Sequence, residues 1–279
     1  HRLFVEQMYA DYHHRLAEWI REVDPHARIG AEGSKPGHLV ETIRTLEFWG
    51  PYSNPVLDEV LRSLGPEKLR TLWWGGYVSS HGGRRGFPWP LWRPLLLGAV
   101  NGNAWYSAAI GSEGLLGADF TYARYFEKLL PHLRALEEAL APVLVTTPLE
   151  SHGIAIRWDH ASGTATRMSD RFFDPRGGMS TLQDVCYRYG LNFDYLPSSR
   201  IEGGMPGDYR ILFLFGASAV SAEEAAAIAR FVRAGGVVVA DLNPALLDEY
   251  CARRSTGGLN TLFGVDELKG EAAFTLRDV

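Results

Sequence analysis

The chain has 279 residues, of which 46% are apolar and 22% charged, so its composition is that of a globular protein with one large or two ordinary domains. The formal net charge of −5 and the lack of any long run of Lys and Arg argue against a nucleic-acid-binding protein. Since no apolar run approaches ~20 residues, the sequence predicts no membrane-spanning segment.

The first 140 residues predict short strands that alternate with helices. Residues 4–23 have apolar side chains near a 3.6-residue period and predict a helix, which ends at Asp24-Pro25. Strands are predicted at 27–31, 46–49, 69–74 and 103–107, and helices at 38–45, 55–64, 91–100 and 121–139. No hairpin signal separates the strands, so we expect a parallel sheet covered by helices. Half of a (β/α)₈ barrel and part of an open doubly wound sheet both fit this order.

The second half predicts a different α/β arrangement. Strands are predicted at 142–146 (PVLVT), 154–158, 193–196, 209–215 and 237–240, with a helix at 180–189. Ser221 and Glu224 form the pattern of a capping box for a helix that runs to Arg233. Gly235-Gly236 follows this helix and is interpreted as its terminator, because it precedes a strand and therefore does not fit a phosphate-binding loop. We place the domain boundary near residue 140, with domains at 1–140 and 141–279.

Residues 69–107 hold five of the eight tryptophans of the chain, together with the doublets Gly75-Gly76 and Gly82-Gly83 and the prolines Pro88, Pro90 and Pro94. Two apolar segments flank a long loop in this stretch. Loops at strand ends are where α/β scaffolds place binding sites, and aromatic rings stack on the apolar faces of sugars. The stretch therefore predicts a carbohydrate-binding site; a rigid, aromatic-packed loop without a ligand is the alternative.

The cysteines and histidines predict no metal site and no cofactor. Cys186 and Cys251 have no metal-ligand spacing and are interpreted as reduced structural thiols. His152 and His160 are interpreted as unrelated surface histidines. The chain starts inside a predicted helix, which we interpret as a sign that it is a segment of a longer protein.

The ordered segments IGAEGS, EFWGPYS, WWGGY and GAVNGNAWYSA resemble the second half of the catalytic barrel of glycoside hydrolase family 42. LFLFGASAVSAEEAAAIARFVRAGGVVVAD is similar to that family's trimerisation domain, which is flavodoxin-like and resembles class I glutamine amidotransferases. The resemblance implies an α/β protein with the C-terminal half of a TIM barrel at 1–140 and an amidotransferase-like domain at 141–279. It further implies retaining, β-galactosidase-type hydrolysis of a carbohydrate substrate, and assembly as a homotrimer.

The family uses two catalytic carboxyl groups, and neither is found at its usual position in this sequence. Its acid/base glutamate follows a strand that is expected upstream of His1. Its nucleophile ends the strand aligned with 69–74, which reads Trp73-Trp74-Gly75 here. Glu32, at the end of the first predicted strand, is the best replacement and our candidate catalytic residue; a sugar-hydroxyl acceptor or a structural carboxylate is its alternative role.

The other carboxylates are weaker candidates. Glu113 lies in a glycine-rich loop and is interpreted as a solvated charge. Glu47 begins its strand and is expected at the opposite end of the barrel. Asp58 and Glu59 are interpreted as the solvated face of a helix.

The candidate substrate-binding residues are aromatic or polar side chains near the expected barrel mouth. They are Trp49, Tyr52, Asn54, Trp73, Trp74, Tyr77, His81 and Trp105. Because the expected nucleophile is absent, a catalytically inactive glycan-binding or oligomerisation module remains an alternative. An active amidotransferase is disfavoured, since the turn Asp241-Leu242-Asn243-Pro244 has no cysteine.

Overall fold

The computed structural model describes residues 2–32, 37–50, 55–74, 92, 101–104, 119, 121–122, 127–168, 175–241 and 244–265. The chain divides into two compact units. Unit 1 comprises His1–His152 and Cys186–Tyr195, and unit 2 comprises Gly153–Val185 and Leu196–Val279. Among the helices of these described ranges, none has both the length and the apolar character needed to cross a membrane.

Unit 1 is an α/β unit with a four-stranded parallel sheet in the order β1-β2-β3-β4. Its elements are α1 (Arg2–Val23), β1 (Gly30–Glu32), α2 (Leu39–Thr45), β2 (Phe48–Gly50), α3 (Pro55–Leu64), β3 (Leu69–Trp74), β4 (Asn101–Ala104), α4 (Leu130–Ala135) and α5 (Ala141–Thr146). Each strand pairs in parallel with the next strand in the chain, and such pairs need a crossover connection between them. The predicted parallel α/β class is therefore confirmed.

Local sequence explains the best-defined elements of unit 1. Proline opens α3 because its missing N–H needs no partner in the first turn, and Gly65 follows the last residue of the helix. Val60 and Leu61 of α3 are fully buried, while Leu39 and Ile43 of α2 are also buried. These buried apolar positions form part of the core.

The prediction of a strand at 142–146 is wrong. The segment forms α5, which continues from α4 through the π-helical turn Leu136–Leu140. Its β-branched residues favour a strand, but a short apolar run has no periodicity that separates strand from helix. Pro142 lies in the first turn of α5, where proline is tolerated, and Val143 is 58% exposed, unlike a residue in a core strand.

Unit 2 contains most of a second sheet, in the order β6-β5-β7-β8. The elements from residue 153 onwards are β5 (Ile154–Trp158), α6 (His160–Met168), α7 (Pro175–Tyr189), β6 (Phe193–Pro197), α8 (Ser198–Glu202), β7 (Ile211–Leu214), α9 (Ala222–Arg233), β8 (Val237–Ala240) and α10 (Asn260–Phe263). The end of α7 and most of β6 belong to unit 1. β5 pairs with β7 and β7 with β8, both in parallel. The core includes Leu212 and Leu214 of β7 and Ile228 of α9, all with no exposed surface.

Both ends of α9 follow the sequence prediction, with one difference. Ser221 Oγ accepts a hydrogen bond from Glu224 N at 3.0 Å and caps the helix. At the other end Gly235 has φ +98°, with hydrogen bonds from Gly235 N to Val232 O and from Gly236 N to Phe231 O. This is a Schellman motif, so the glycines are a helix terminator. The Glu224 carboxylate, however, binds Arg157, and so does not complete a capping box.

Candidate functional site

The candidate site lies where β1 to β4 end, because the carboxyl ends of parallel strands meet at one edge of a sheet. Glu32 ends β1 and is level with Gly50, the last residue of β2. Trp73 and Trp74 end β3 and are level with Asn103 and Ala104 of β4. The sheet thus brings the backbones of the candidate catalytic residue and of two candidate binding residues to the same edge.

The register gives the separation of these positions along that edge. Trp49 is level with Arg70, so Gly50 falls level with the residue after Arg70, and Trp73 lies two residues further on. Two strand spacings of about 4.8 Å and two residues of about 3.3 Å separate the Cα atoms of Glu32 and Trp73 by about 12 Å. The two positions therefore share the edge without being direct neighbours.

Trp49 is placed differently from the other candidates. It lies in β2, level with Ala31 and Arg70, and only 2% of its surface is exposed. A tryptophan this buried fills the core and offers no accessible ring face for stacking on a sugar. The burial supports a packing role, and a substrate contact by Trp49 stays a prediction.

The remaining candidates lie outside the described residues. These are Tyr52, Asn54, Tyr77, His81, Trp105 and Glu113. For Glu32, Trp73 and Trp74 the described part is the backbone, so the role of each side chain also stays a prediction.

The sequence did not predict a buried cluster of charged side chains in unit 1. Asp58 and Glu59 of α3 are 8% and 2% exposed, so their interpretation as a solvated face is wrong. Glu59 binds Arg62 Nε at 2.5 Å and accepts from the Tyr187 hydroxyl at 2.9 Å. The charge of Arg62 compensates the burial of Glu59, as buried ions require.

The same cluster extends to the segment 193–195 of unit 1. Arg62 donates to Asp194 Oδ1 at 2.8 Å and to the Phe193 carbonyl, while Ser63 Oγ accepts from Tyr195 N at 2.8 Å. Burial, followed by the charge of Glu59, raises the pKa of the Tyr195 hydroxyl. These contacts are structural, since every group in them is satisfied by another protein group.

The charges of the same cluster shift the pKa of Arg70 in β3. Burial and repulsion by Arg62 lower the pKa of Arg70 to about 10, against the attraction of Glu59 and Asp58. Arg70 therefore remains a cation at neutral pH, and it lies level with Trp49 beneath the candidate edge.

Unit 2 has its own buried ion network. Arg157 of β5 donates to both carboxylate oxygens of Glu224, at 2.7 and 2.8 Å, and to Ser162 Oγ and Ala219 O. Burial alone would raise the pKa of Asp159, but the Arg157 charge and hydrogen bonds from residues 161 and 162 lower it overall. Because this network occupies the end of β5 and pairs all its charges, it is interpreted as structural.

Neither cysteine is placed or activated for nucleophilic chemistry. Cys186 is 1% exposed and lies in α7, and burial raises its pKa. Cys251 lies in a turn; burial, followed by the charges of Asp159 and Asp248, raises its pKa. A thiol with a raised pKa is a poor nucleophile at neutral pH. Within the ranges given above, no three His, Cys, Asp or Glu side chains are grouped to hold a metal ion.

Comparison with known proteins shows similarity in structure and little in sequence. No family model matches the sequence, and no curated protein does either. A β-galactosidase from Bacillus circulans sp. alkalophilus matches 93% of this chain and 42% of its own, with a TM-score of 0.75 and 12% identity. Gan42B, a GH42 β-galactosidase from G. stearothermophilus, matches 96% of this chain and 47% of its own, with a TM-score of 0.72 and 15% identity. The chain has a GH42-like fold.

A third structure agrees with this assignment. The β-galactosidase from Marinomonas ef1 matches 94% of the GH42-like chain and 48% of its own length, with a TM-score of 0.69 and 17% identity. The GH42-like chain therefore spans slightly less than half of each of these three structures. Because the matches cover more than nine-tenths of the chain, the GH42-like fold includes residues of both compact units.

Proposed function

We propose that the chain belongs to a glycoside hydrolase that removes β-linked sugars, with a galactoside as the substrate class and with retention at the anomeric carbon. The observation that carries this proposal is the match of nearly the whole chain to solved β-galactosidases, one of them described as GH42. The composition and the tryptophan-rich segment 69–107 agree with a carbohydrate ligand.

In this proposal unit 1 supplies the C-terminal half of a (β/α)₈ barrel. Two observations support it. Its four strands are parallel and follow chain order, as barrel strands do. In the described residues, β1 and β4 each have a single neighbour, so each leaves one edge of the sheet open for a further strand. Closing the barrel places further strands beside both of them.

The place of Glu32 supports a catalytic role in such a barrel. A retaining glycosidase needs two carboxyl groups about 5–5.5 Å apart, and adjacent strands lie about 4.8 Å apart. A residue at the end of a strand that pairs with the open edge of β1 would have its backbone about 4.8 Å from that of Glu32, which allows two carboxyl groups to face one bond. Glu32 attacks the anomeric carbon while the other carboxylic acid protonates the leaving oxygen; water then releases the sugar.

The direct test is hydrolysis of aryl β-glycosides and oligosaccharides by the complete gene product. We expect release from a galactoside, and a fall of at least about 10³-fold in kcat for Glu32→Gln. Glu47→Gln is the matched control, because Glu47 lies before β2, pairs with Arg21 at 3.0 Å and is 41% exposed. Unchanged turnover in Glu32→Gln removes Glu32 from the mechanism.

Azide separates the possible roles of Glu32. In Glu32→Ala, azide fits the space of the lost carboxylate and attacks the anomeric carbon from the nucleophile's side. Recovery of activity with an inverted glycosyl azide as product is the expected outcome. A glycosyl azide with retained configuration would instead assign Glu32 as the acid/base, and no rescue would leave it as a binding residue.

A second candidate function is glycan binding without catalysis. The observation that favours it is the end of β3, which carries Trp73-Trp74 where the family resemblance implies the nucleophile. Calorimetry with oligosaccharides distinguishes the two functions, since this candidate predicts binding heat without any released sugar.

We infer that the second α/β unit is a flavodoxin-like, amidotransferase-like domain that assembles the protein as a homotrimer. The strand order β6-β5-β7-β8 and the succession β7-α9-β8 support this inference. No cysteine occurs at 241–244 in the sequence after β8, which agrees with an assembly role. Light scattering of the complete gene product should give three times the mass of one chain; a monomer would contradict the inference.

A further inference from the structure

The register of the first sheet divides its residues between two faces. Successive residues of a strand lie on opposite faces, and residues that are level on neighbouring parallel strands share a face. Trp49 is level with Arg70, and Trp73, three residues after Arg70, is level with Asn103. Arg70 and Trp73 therefore belong to opposite faces, which we call the Arg70 face and the Trp73 face.

The Arg70 face is the one that α3 covers. Charged residues of α3 act on the Arg70 guanidinium, and they are Glu59, Asp58 and Arg62. Trp49, on the same face, is 2% exposed. Apart from Arg70, this face is formed by apolar or small residues, namely Ala31, Trp49, Leu72, Trp74, Gly102 and Ala104. Such a composition is typical of a parallel sheet face that packs against helices.

The Trp73 face has a different character towards the carboxyl ends of the strands. Its residues there are Glu32, Gly50, Thr71, Trp73, Asn101 and Asn103. At the amino ends, the Phe48 ring occupies the space that a side chain at Gly30 would fill, so both residues lie on this face, as the register requires. The Trp73 face is thus largely polar at the edge where Glu32 lies, although apolar side chains ordinarily fill the interior of a parallel barrel.

β4 contributes most to this polarity. It reads Asn-Gly-Asn-Ala, and Asn101 and Asn103 both belong to the Trp73 face. Asparagine is depleted in strands, so two asparagines on one face of so short a strand need a reason other than strand formation. An amide both donates and accepts hydrogen bonds, as do the hydroxyl groups of a sugar. A ligand rich in hydroxyl groups supplies the partners that polar groups need away from water.

Asn103 is the asparagine nearer the carboxyl end of β4, and it lies beside a tryptophan. Its Cα is about 4.8 Å from that of Trp73, the spacing of level residues on neighbouring strands. An aromatic ring covers the apolar face of a sugar, whereas the hydroxyl groups around that face need hydrogen bonds. The two positions therefore combine both kinds of contact on the face that holds Glu32.

We propose that Asn103 determines sugar specificity by hydrogen bonding to hydroxyl groups of the galactoside, and that Trp73, in preference to Trp74, contacts the apolar face of the sugar ring. This rests on the proposed function, which it deepens by naming a specificity-determining residue of the same site.

Binding of methyl 1-thio-β-galactoside to the complete gene product tests the proposal without turnover. Calorimetry compares this probe with its 2-, 3-, 4- and 6-deoxy forms, each of which lacks one hydroxyl group. Asn103→Ala should weaken binding of the intact probe at least about tenfold, and it should cancel the loss of affinity that one of the deoxy forms shows in the parent protein. Asn103→Asp, which keeps the size of the side chain, should change the loss for the same deoxy form. Asn192→Ala removes an amide from outside the sheet and should leave the affinity within about twofold.

Each outcome decides the proposal. Unchanged losses for every deoxy form in both Asn103 variants would overturn it, as would a parent protein that binds no thiogalactoside. Galactoside hydrolysis together with unchanged losses would keep the proposed function and reject this inference alone. Binding that depends on Asn103 in a protein without turnover would keep this inference and reject the hydrolase.

The two neighbouring tryptophans supply an independent measurement. Trp73→Ala should weaken binding of the intact probe at least about tenfold, because it removes the ring that covers the sugar. Trp74→Ala should weaken binding less and should lower the thermal midpoint by at least ~5 °C, because its face packs against helices. A larger loss of affinity in Trp74→Ala than in Trp73→Ala would contradict the assignment of the two faces.

Discussion

Two Arg–Glu pairs with the same spacing allow a direct test of how burial sets the value of an ion pair. Arg62 binds Glu59 in α3 and Arg44 binds Glu41 in α2, both three residues apart and at 2.5 and 2.7 Å. The Arg62 and Glu59 side chains are 11% and 3% exposed, whereas those of Arg44 and Glu41 are 62% and 29% exposed. We replace each arginine with methionine, which keeps an unbranched apolar stem but removes the charge and the hydrogen-bond donors.

The structure sets the expected size of each effect. Arg62→Met leaves the Glu59 carboxylate buried and removes a donor from the Phe193 carbonyl, which by itself costs about 3–5 kcal/mol. The cost is at the lower end, because Glu59 keeps the Tyr187 hydroxyl and Arg70 is relieved of repulsion by Arg62. We expect a loss of about 3 kcal/mol in the free energy of unfolding, against less than about 0.5 kcal/mol for Arg44→Met.

Urea unfolding followed by tryptophan fluorescence measures this difference, since every tryptophan except Trp158 precedes residue 153. The double variant Glu59→Gln/Arg62→Met should recover part of the loss, because a neutral glutamine can still accept from Tyr187. If the free energies of unfolding of Arg62→Met and Arg44→Met differ by less than about 0.5 kcal/mol, the burial argument is refuted.

Three further predictions concern unit 2. Glu224→Gln should lower the free energy of unfolding by about 3 kcal/mol, because it leaves the buried Arg157 with Asp159 as its one anionic partner among the network residues. Glu223→Gln, at the exposed neighbouring position, should cost about 0.5 kcal/mol, and equal effects of the two variants in denaturant titrations would contradict the stabilising role of the network. Ser221→Ala should cost about 1–2 kcal/mol by removing the cap of α9 and a donor to Glu202, and Ser221→Thr should retain most of it in the same titrations. Burial raises the pKa of Asp241 despite its hydrogen bonds from Gly216 N, so the folded state holds this proton more tightly and loses stability as the pH rises from the unfolded to the raised folded pKa. Asp241→Asn should therefore be at least as stable as the parent at pH 7, with the difference vanishing below about pH 3.9. A variant that is less stable than the parent at pH 7 would show that the charge favours folding.

Elements with strong local signals were predictable from the sequence. The bounds of α3, β3 and β8 follow from proline, glycine and apolar runs, and the Schellman motif follows from Gly235-Gly236. The failure at 142–146 has a physical reason, because β-branched residues and helical continuity favour opposite structures there and the sequence does not rank them.

The buried charges could not be predicted from local sequence. Asp58 and Glu59 look like a solvated face because the partners of Glu59 and Arg62, at Tyr187 and Asp194, are more than a hundred residues away in the chain. Glu224 likewise fits a capping box until Arg157 is brought to it by β5. Positions at the candidate site were predictable to the strand end, whereas Trp49 shows that a strand-end aromatic can equally be a core residue.

The central proposal, a retaining β-glycosidase, is tested most directly by proton NMR of the first sugar released from an aryl β-galactoside by the complete gene product. The two-carboxylate mechanism with Glu32 as nucleophile predicts that the β-anomer appears first and the α-anomer only later, by mutarotation. Initial release of the α-anomer would contradict the retaining mechanism, and no released sugar from any β-glycoside would contradict the enzyme itself.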